Sequence, residues 1–107
     1  MALDIRLLSK EIIADQELVM LLSKSSAEQR LAALLLSLSA RYKRRQLSAT
    51  SFVLPMSRTD MGNYLGLTIE TVSRVMGRFQ KQNITSSDRR NITLLDLEQL
   101  KEIAGTH

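Results

Sequence analysis

The chain is 107 residues long, 44% hydrophobic, 24% charged and 4% aromatic, with a formal net charge of +4 and neither cysteine nor tryptophan. That length holds one domain with an appended element, and the composition excludes a disordered tail, disulfides, thiolate metal sites and a cysteine nucleophile. The one histidine, His107, ends the chain, which excludes the usual catalytic triads and zinc sites, and no run approaches the ~18 uncharged apolar residues of a membrane span. The N-terminus lacks a charged-then-apolar secretory pattern, so a cytoplasmic protein is expected. Its core has to come from Leu, Ile, Val, Met and Ala.

Residues 3–22 repeat apolar side chains at helical spacing without Gly or Pro, which predicts a first helix. Within it Ile5, Leu8, Ile12, Asp15, Val19 and Leu22 follow at intervals of 3, 4, 3, 4 and 3, a heptad seam. Such a seam asks for a matching helix, most simply a second copy about a two-fold axis. The alternative is that it packs on its own domain. Asp15 interrupts the seam, and two copies would set its carboxylates face to face near the axis. It is therefore expected to keep dimerisation marginal. The polar residues 23–26 form a candidate hinge, dividing the chain into a dimerisation helix over 1–24 and a domain over 25–107.

A second helix is predicted over 27–42, with Leu31, Leu34, Leu35 and Leu38 as its buried stripe. Ser25 or Ser26 can cap it, and Glu28 suits the positive end of its dipole. A basic loop follows over 43–51. Phe52-Val53-Leu54 is a short β-prone run stopped by Pro55. Ser57-Arg58-Thr59-Asp60 then reads as a capping box, opening a helix that ends at Gly66. Thr68 caps a further helix that runs to about Lys81. Ile84-Thr85 and Ile92 to Leu95 flank a polar loop over 86–91, which suits a hairpin with Arg89 and Arg90 near its tip. Asp96 caps a last short helix ending at Gly105.

The segment from Arg58 to Gln82 holds two helices joined by a three-residue turn. Gly62 costs roughly 0.5–1 kcal/mol against Ala within a helix, so close approach of another helix is expected there. Gly66 permits the sharp turn, and Met61, Leu65, Val72 and Val75 supply apolar contacts between the helices. This is the pattern of a helix-turn-helix. On the second helix Ile69, Val72, Val75, Met76 and Phe79 gather on one side, to be buried. Glu70, Ser73, Arg74, Gly77, Arg78 and Lys81 gather on the other, which is either a solvated face or a reading face. Glu70, Ser73 and Arg74 lie near the N-terminal end, where recognition helices meet base edges in the major groove.

The chemistry of that trio divides by residue. Arg74 carries a planar fork that can donate twice to guanine, Glu70 accepts from cytosine N4, and Ser73 reaches a neighbouring base. The alternative is an intrahelical Glu70–Arg74 pair worth only ~0.3–0.5 kcal/mol, which is compatible with base reading because it pre-aligns the guanidinium. Ser57, Arg58, Thr59, Thr68 and Thr71 near the two helix starts, Arg78 and Lys81 on the second helix, and Arg89 and Arg90 in the wing are candidate phosphate contacts. Residues 41–90 hold ten basic groups against three acidic ones, a distribution that points to a polyanion on one face.

The run Met56-Ser57-Arg58-Thr59-Asp60-Met61-Gly62-Asn63-Tyr64-Leu65-Gly66-Leu67-Thr68-Ile69-Glu70-Thr71-Val72-Ser73-Arg74 resembles the helix-turn-helix signature of the FNR branch of the CRP/FNR regulators. The similarity extends to Asp15-Gln16 and to Ala27-Glu28-Gln29-Arg30-Leu31-Ala32-Ala33. The resemblance implies a winged helix-turn-helix, mainly α with a small β-hairpin wing, preceded by a dimerisation helix. It implies a sequence-specific transcription regulator that acts as a homodimer on double-stranded DNA and contacts RNA polymerase. In that family a Glu-x-x-Ser-Arg triplet reads a TTGAT-type half-site, which carries over to Glu70, Ser73 and Arg74. The CRP branch has an Arg before the Glu, where this chain has Ile69. The family also implies an upstream sensory β-roll with cysteines around an iron–sulfur cluster. With no cysteine here, no cofactor is expected in this chain, which corresponds to the C-terminal portion of such a regulator.

Two other classes compete. A winged helix used for protein–protein assembly would show an apolar patch where this one has Glu, Ser and Arg. An enzyme has no support, for there is no internal His, no Cys and no carboxylate pair in a plausible cleft. The seam itself is testable: Asp15→Ala should lower the dimer dissociation constant measured by sedimentation. An unchanged constant would remove Asp15 from that role.

Overall fold

A computed structural model describes residues 26–105. The seam residues Ile5, Leu8, Ile12, Asp15, Val19 and Leu22 and the hinge up to Ser25 lie outside the described residues. Seven elements follow in order: α1 (Ala27–Arg44), β1 (Ser51–Val53), α2 (Arg58–Leu65), α3 (Ile69–Lys81), β2 (Thr85–Asp88), β3 (Asn91–Leu94) and α4 (Leu97–Ala104). The architecture is a winged helix-turn-helix in which helices carry most of the described residues.

Helix α1 starts where its cap chemistry dictates. Ser26 Oγ accepts from the Gln29 amide at 3.2 Å while the Ser26 amide donates to Gln29 Oε1 at 2.9 Å. That is a reciprocal capping box, and its second member is Gln29, where the sequence draws attention to Glu28. The Leu31, Leu34, Leu35 and Leu38 stripe is fully buried, as the 3.6-residue period predicts. It meets Met61 and Leu65 of α2, Val72, Val75, Met76 and Phe79 of α3, and Leu100 of α4 in one core.

The wing differs from the expected hairpin in two respects. Its loop is only Arg89-Arg90, because Ser86, Ser87, Asp88 and Asn91 are taken up into strands pairing Asp88 with Asn91 and Ser87 with Ile92. The expected run Phe52-Val53-Leu54 sits one residue early, at Ser51–Val53, and joins β3 on its other edge, with Phe52 opposite Ile92. The result is a three-stranded antiparallel sheet ordered β1-β3-β2. Buried Ile92 and Leu94 alternate with outward residues along β3, so its inner face closes the core. Tyr42 stacks on Phe52 with ring centroids 4.8 Å apart and donates to the Val53 carbonyl at 3.0 Å, pinning β1 to α1.

Other caps also fall at the positions expected from the sequence. Asp96 accepts from the Gln99 amide at 3.0 Å, and Gly105 closes α4 at φ 81°. Asn83 ends α3 in the left-handed region at φ 59°, with the Ile84 amide on the Phe79 carbonyl and the Asn83 amide on the Gln80 carbonyl. This is a Schellman closure with Asn where Gly is commoner.

The hydroxyl of Tyr64 on α2 is enclosed without a hydrogen-bond partner among the described residues, and burial raises its pKa above the ordinary 10.0. The sign follows from linkage. Below about pH 10 neither folded nor unfolded chain ionises this group; above it the unfolded chain loses the proton first, so stability falls as pH rises. Between about pH 9 and about pH 11 the urea midpoint of the wild type should therefore fall more steeply than that of Tyr64→Phe. At neutral pH Tyr64→Phe should cost nothing, since it removes an unpaired buried polar atom. Parallel pH profiles would assign the alkaline loss to another group.

Candidate nucleic-acid interface

Two glycines set the angle between α2 and α3. Gly66 ends α2 at φ 72° and ψ 33°, a conformation that a side chain resists. At Gly62 a Cβ would stand 2.6 Å from the Leu67 carbonyl oxygen, closer than real atoms approach. The neighbour there is the backbone of the turn, not the body of another helix as the sequence suggests. The Leu67 amide donates to the Gly62 carbonyl at 2.8 Å, so turn and helix are hydrogen-bonded at the same place. From behind, Arg30 of α1 donates to the Leu65 carbonyl at 2.9 Å.

Helix α3 leaves this turn with Thr68 as its cap, φ −75° and ψ 158°, accepting from the Thr71 amide at 3.1 Å. The Thr68 hydroxyl also donates to the Thr71 hydroxyl at 2.9 Å. Val72, Val75, Met76 and Phe79 are buried on the inner side. Ile69, expected with them, is 45% exposed. A helical side chain leans over the turn that precedes it, and the first residue of a helix has no such turn. Ile69 therefore projects past the tip of α3, beside Glu70.

The outer side carries the base-reading candidates. Glu70 and Arg74 are exposed, Ser73 is half-buried, and no ion pair joins Glu70 to Arg74. That pair, considered from the sequence, does not form. Ser73 instead accepts from Arg58 of α2, with Nη1 to Oγ at 3.2 Å. The contact brings the first residue of α2 onto the outer face of α3. Ser57 caps α2 by accepting from the Asp60 amide at 3.1 Å, and the return bond from Asp60 expected of a full box is not among the described hydrogen bonds. Ser57, Arg58 and Thr59 are all exposed at that helix start.

Arg78 and Lys81 are exposed farther along α3. Arg78 forms an ion pair with Glu28 in the first turn of α1, a contact the sequence could not reveal across fifty residues. Both side chains remain about two-fifths exposed, so the pair is screened and worth at most about 1 kcal/mol. Arg89 and Arg90 are exposed at the wing tip, and Arg89 holds φ 59°, unusual for a side chain of its size. The wing is fixed to α3 by the Ser87 hydroxyl, which donates to Gln80 Oε1 at 3.0 Å. Neither residue stands out in the sequence, because no motif marks a bond between two neutral side chains.

The cation-rich outer face, the tight turn and the wing belong to one set of proteins. The Crp-like helix-turn-helix domain model matches residues 29–103. The chain belongs to that family. Over 103 residues it is 53% identical to the "Anaerobic regulatory protein" of Haemophilus influenzae, covering 96% of this chain and 40% of that protein. It is 54% identical over 100 residues to the "Fumarate and nitrate reduction regulatory protein" of Vibrio cholerae, covering 94% and 40%. The "Transcriptional activator protein anr" of Pseudomonas aeruginosa matches at 48% over 94% and 41%. Among solved structures, FixK2 from Bradyrhizobium japonicum superposes with a TM-score of 0.68 at 37% identity, over 82% of this chain and 43% of that one. The chain thus spans about two-fifths of the length of these relatives.

Regulators of the CRP/FNR family are not enzymes. Among the described residues no helix is long and apolar enough to cross a membrane, and no three metal-ligating side chains cluster. An iron–sulfur cluster, implied by the resemblance, does not fit this chain, because cysteine thiolates hold such clusters and the chain has none.

The turn gives the first test of this geometry. Gly62→Ala should destabilise the domain by about 1–3 kcal/mol, since a backbone carbonyl cannot yield as a side chain would. Chemical denaturation measures the loss, and a midpoint equal to wild type would show that the turn relaxes freely.

Proposed function

We propose that this chain is the DNA-binding part of a transcription regulator that reads a TTGAT-type half-site through Glu70, Ser73 and Arg74. The observation that carries the reading is the display of that trio on the outer face of α3, opposite the buried Val72, Val75, Met76 and Phe79. Arg74 donates its fork to guanine O6 and N7, Glu70 accepts from cytosine N4, and Ser73 meets an adjacent base. A carboxylate among phosphates weakens general adhesion, so Glu70 favours discrimination over mere attraction.

Backbone contacts set the register. Ser57, Arg58 and Thr59 at the start of α2, Thr68 and Thr71 at the start of α3, Arg78 and Lys81 along it, and Arg89 and Arg90 at the wing tip are the phosphate contacts in this reading. Arg78 has to exchange Glu28 for a phosphate, which the weakness of an exposed ion pair permits. Two copies joined through Ile5, Leu8, Ile12, Asp15, Val19 and Leu22 would present two α3 helices about one DNA turn apart, matching an inverted repeat. The relatives' names speak for anaerobic regulation and for activation, hence for RNA polymerase as a further partner, in the cytoplasm.

Selection of bound sequences from a random DNA pool tests half-site, symmetry and spacing together; a pool without enrichment overturns the reading. Arg74→Ala should cost about 1–3 kcal/mol on the selected site and relax preference at one base pair. Arg78→Ala should weaken all sequences alike and flatten the salt dependence of binding by about one unit. Equal losses for Arg74→Ala on selected and scrambled duplexes would make it a phosphate contact.

A further inference from the structure

Each of the four glycines has a reason within the fold except one. Gly66 and Gly105 hold positive φ, and Gly62 faces the Leu67 carbonyl. Gly77 has none of these: its φ is not in the left-handed region, and a Cβ built there meets nothing among the described residues within 4 Å. It is the ninth of thirteen residues in α3, well inside the helix, where glycine is among the most costly residues. Alanine would fit the chain better.

At about 100° per residue Gly77 lies on the side away from the buried stripe, about 100° from Met76, about 140° from Val72 and about 160° from Val75 and Phe79. Glu70 stands two turns before it on the same line, Arg74 and Ser73 one turn before, and Lys81 one turn after. Gly77 is thus the bare centre of the outer face. An α-helix with its side chains is about 10–12 Å across, and the major groove of DNA is about 12 Å wide. The side chain at the outermost point of such a helix decides how deep it can sit.

We infer that Gly77 is a positioning residue, kept without a side chain so that α3 seats to full depth in the major groove and brings Glu70, Ser73 and Arg74 within reach of base edges. This rests on the DNA-binding reading above and adds to it a steric determinant of specificity. The helix gives up intrinsic stability at Gly77 for closeness to a partner outside the chain. Loose complexes held by phosphate attraction do not require that depth, whereas the sequence-specific complex does.

The test uses the full chain as wild type, Gly77→Ala and Gly77→Leu, each measured by thermal melting and by anisotropy titration. The duplexes are an inverted repeat of TTGAT half-sites and a scrambled control. Both variants should melt a few degrees higher than wild type, since each is a better helix former than glycine. Affinity for the repeat should fall with side-chain size, about threefold for Gly77→Ala and about tenfold or more for Gly77→Leu. The scrambled duplex should lose less, and the salt slope should not change because no charge is removed. Two results overturn the inference: lower melting of both variants, which would return the glycine to the fold, or repeat binding by Gly77→Leu equal to wild type. Absence of any preference for the repeat in the wild type itself is a distinct outcome. It removes the DNA reading and the role of Gly77 together.

Discussion

The approach of the Leu67 carbonyl to Gly62 is the constraint from which the rest of the site follows. With 2.6 Å between that oxygen and the place of a Cβ, only hydrogen fits, and the turn closes directly onto the body of α2. Gly66 makes the reversal possible through its left-handed backbone, and Thr68 receives the chain as the cap of α3. The direction of α3 is thereby set by backbone contacts, which are stiff, and not by side-chain charges, which are soft. Removing one exposed ion pair costs at most about 1 kcal/mol, whereas forcing extra atoms into a packed turn costs about 1–3 kcal/mol. Steric contact in the turn therefore outweighs surface charge in aiming the helix.

The softness of the charged layer is useful to a binding surface. Arg58 rests on Ser73 and Arg78 on Glu28, both in exposed surroundings. Such contacts hold long side chains near the positions they would occupy on a polyanion, and they yield when a stronger partner arrives. The Arg58 contact thereby joins the first residue of α2 to the outer face of α3.

Much of this architecture was legible from the sequence because it is local. The leucine stripe of α1, the caps Ser26, Ser57, Thr68 and Asp96, and the glycine at the end of α2 are periodicities or short motifs, and each falls where expected. What was not legible is non-local or depends on an end effect. The pairing of β1 with β3 joins segments some forty residues apart, and a three-residue strand carries no pattern that names its partner. The Glu28–Arg78 pair is equally distant in sequence. The helical wheel puts Ile69 at the edge of the apolar sector, and a wheel ignores that the helix begins there. A close approach at Gly62 is foreseeable from the glycine itself, but composition cannot distinguish a passing helix from the carbonyl of the helix's own turn.

The division of labour on α3 has a consequence for how substitutions act. Its inner side is anchored by Val72, Val75, Met76 and Phe79, all within 2% of full burial, while none of the described residues packs over Gly77 on its outer side. Stability and recognition therefore reside on opposite faces of one short helix. Changes to the inner face act through cavities and strain and alter both properties together. Changes to the outer face leave the core intact and, apart from the helix propensity of the new residue, register only when a partner is present. An outer face governed by folding alone would favour alanine at its centre and long charged side chains around it. This one has glycine at its centre, a choice that folding does not reward and that the close approach of a partner would, whereas Glu70 in the first turn also suits the positive end of the helix dipole.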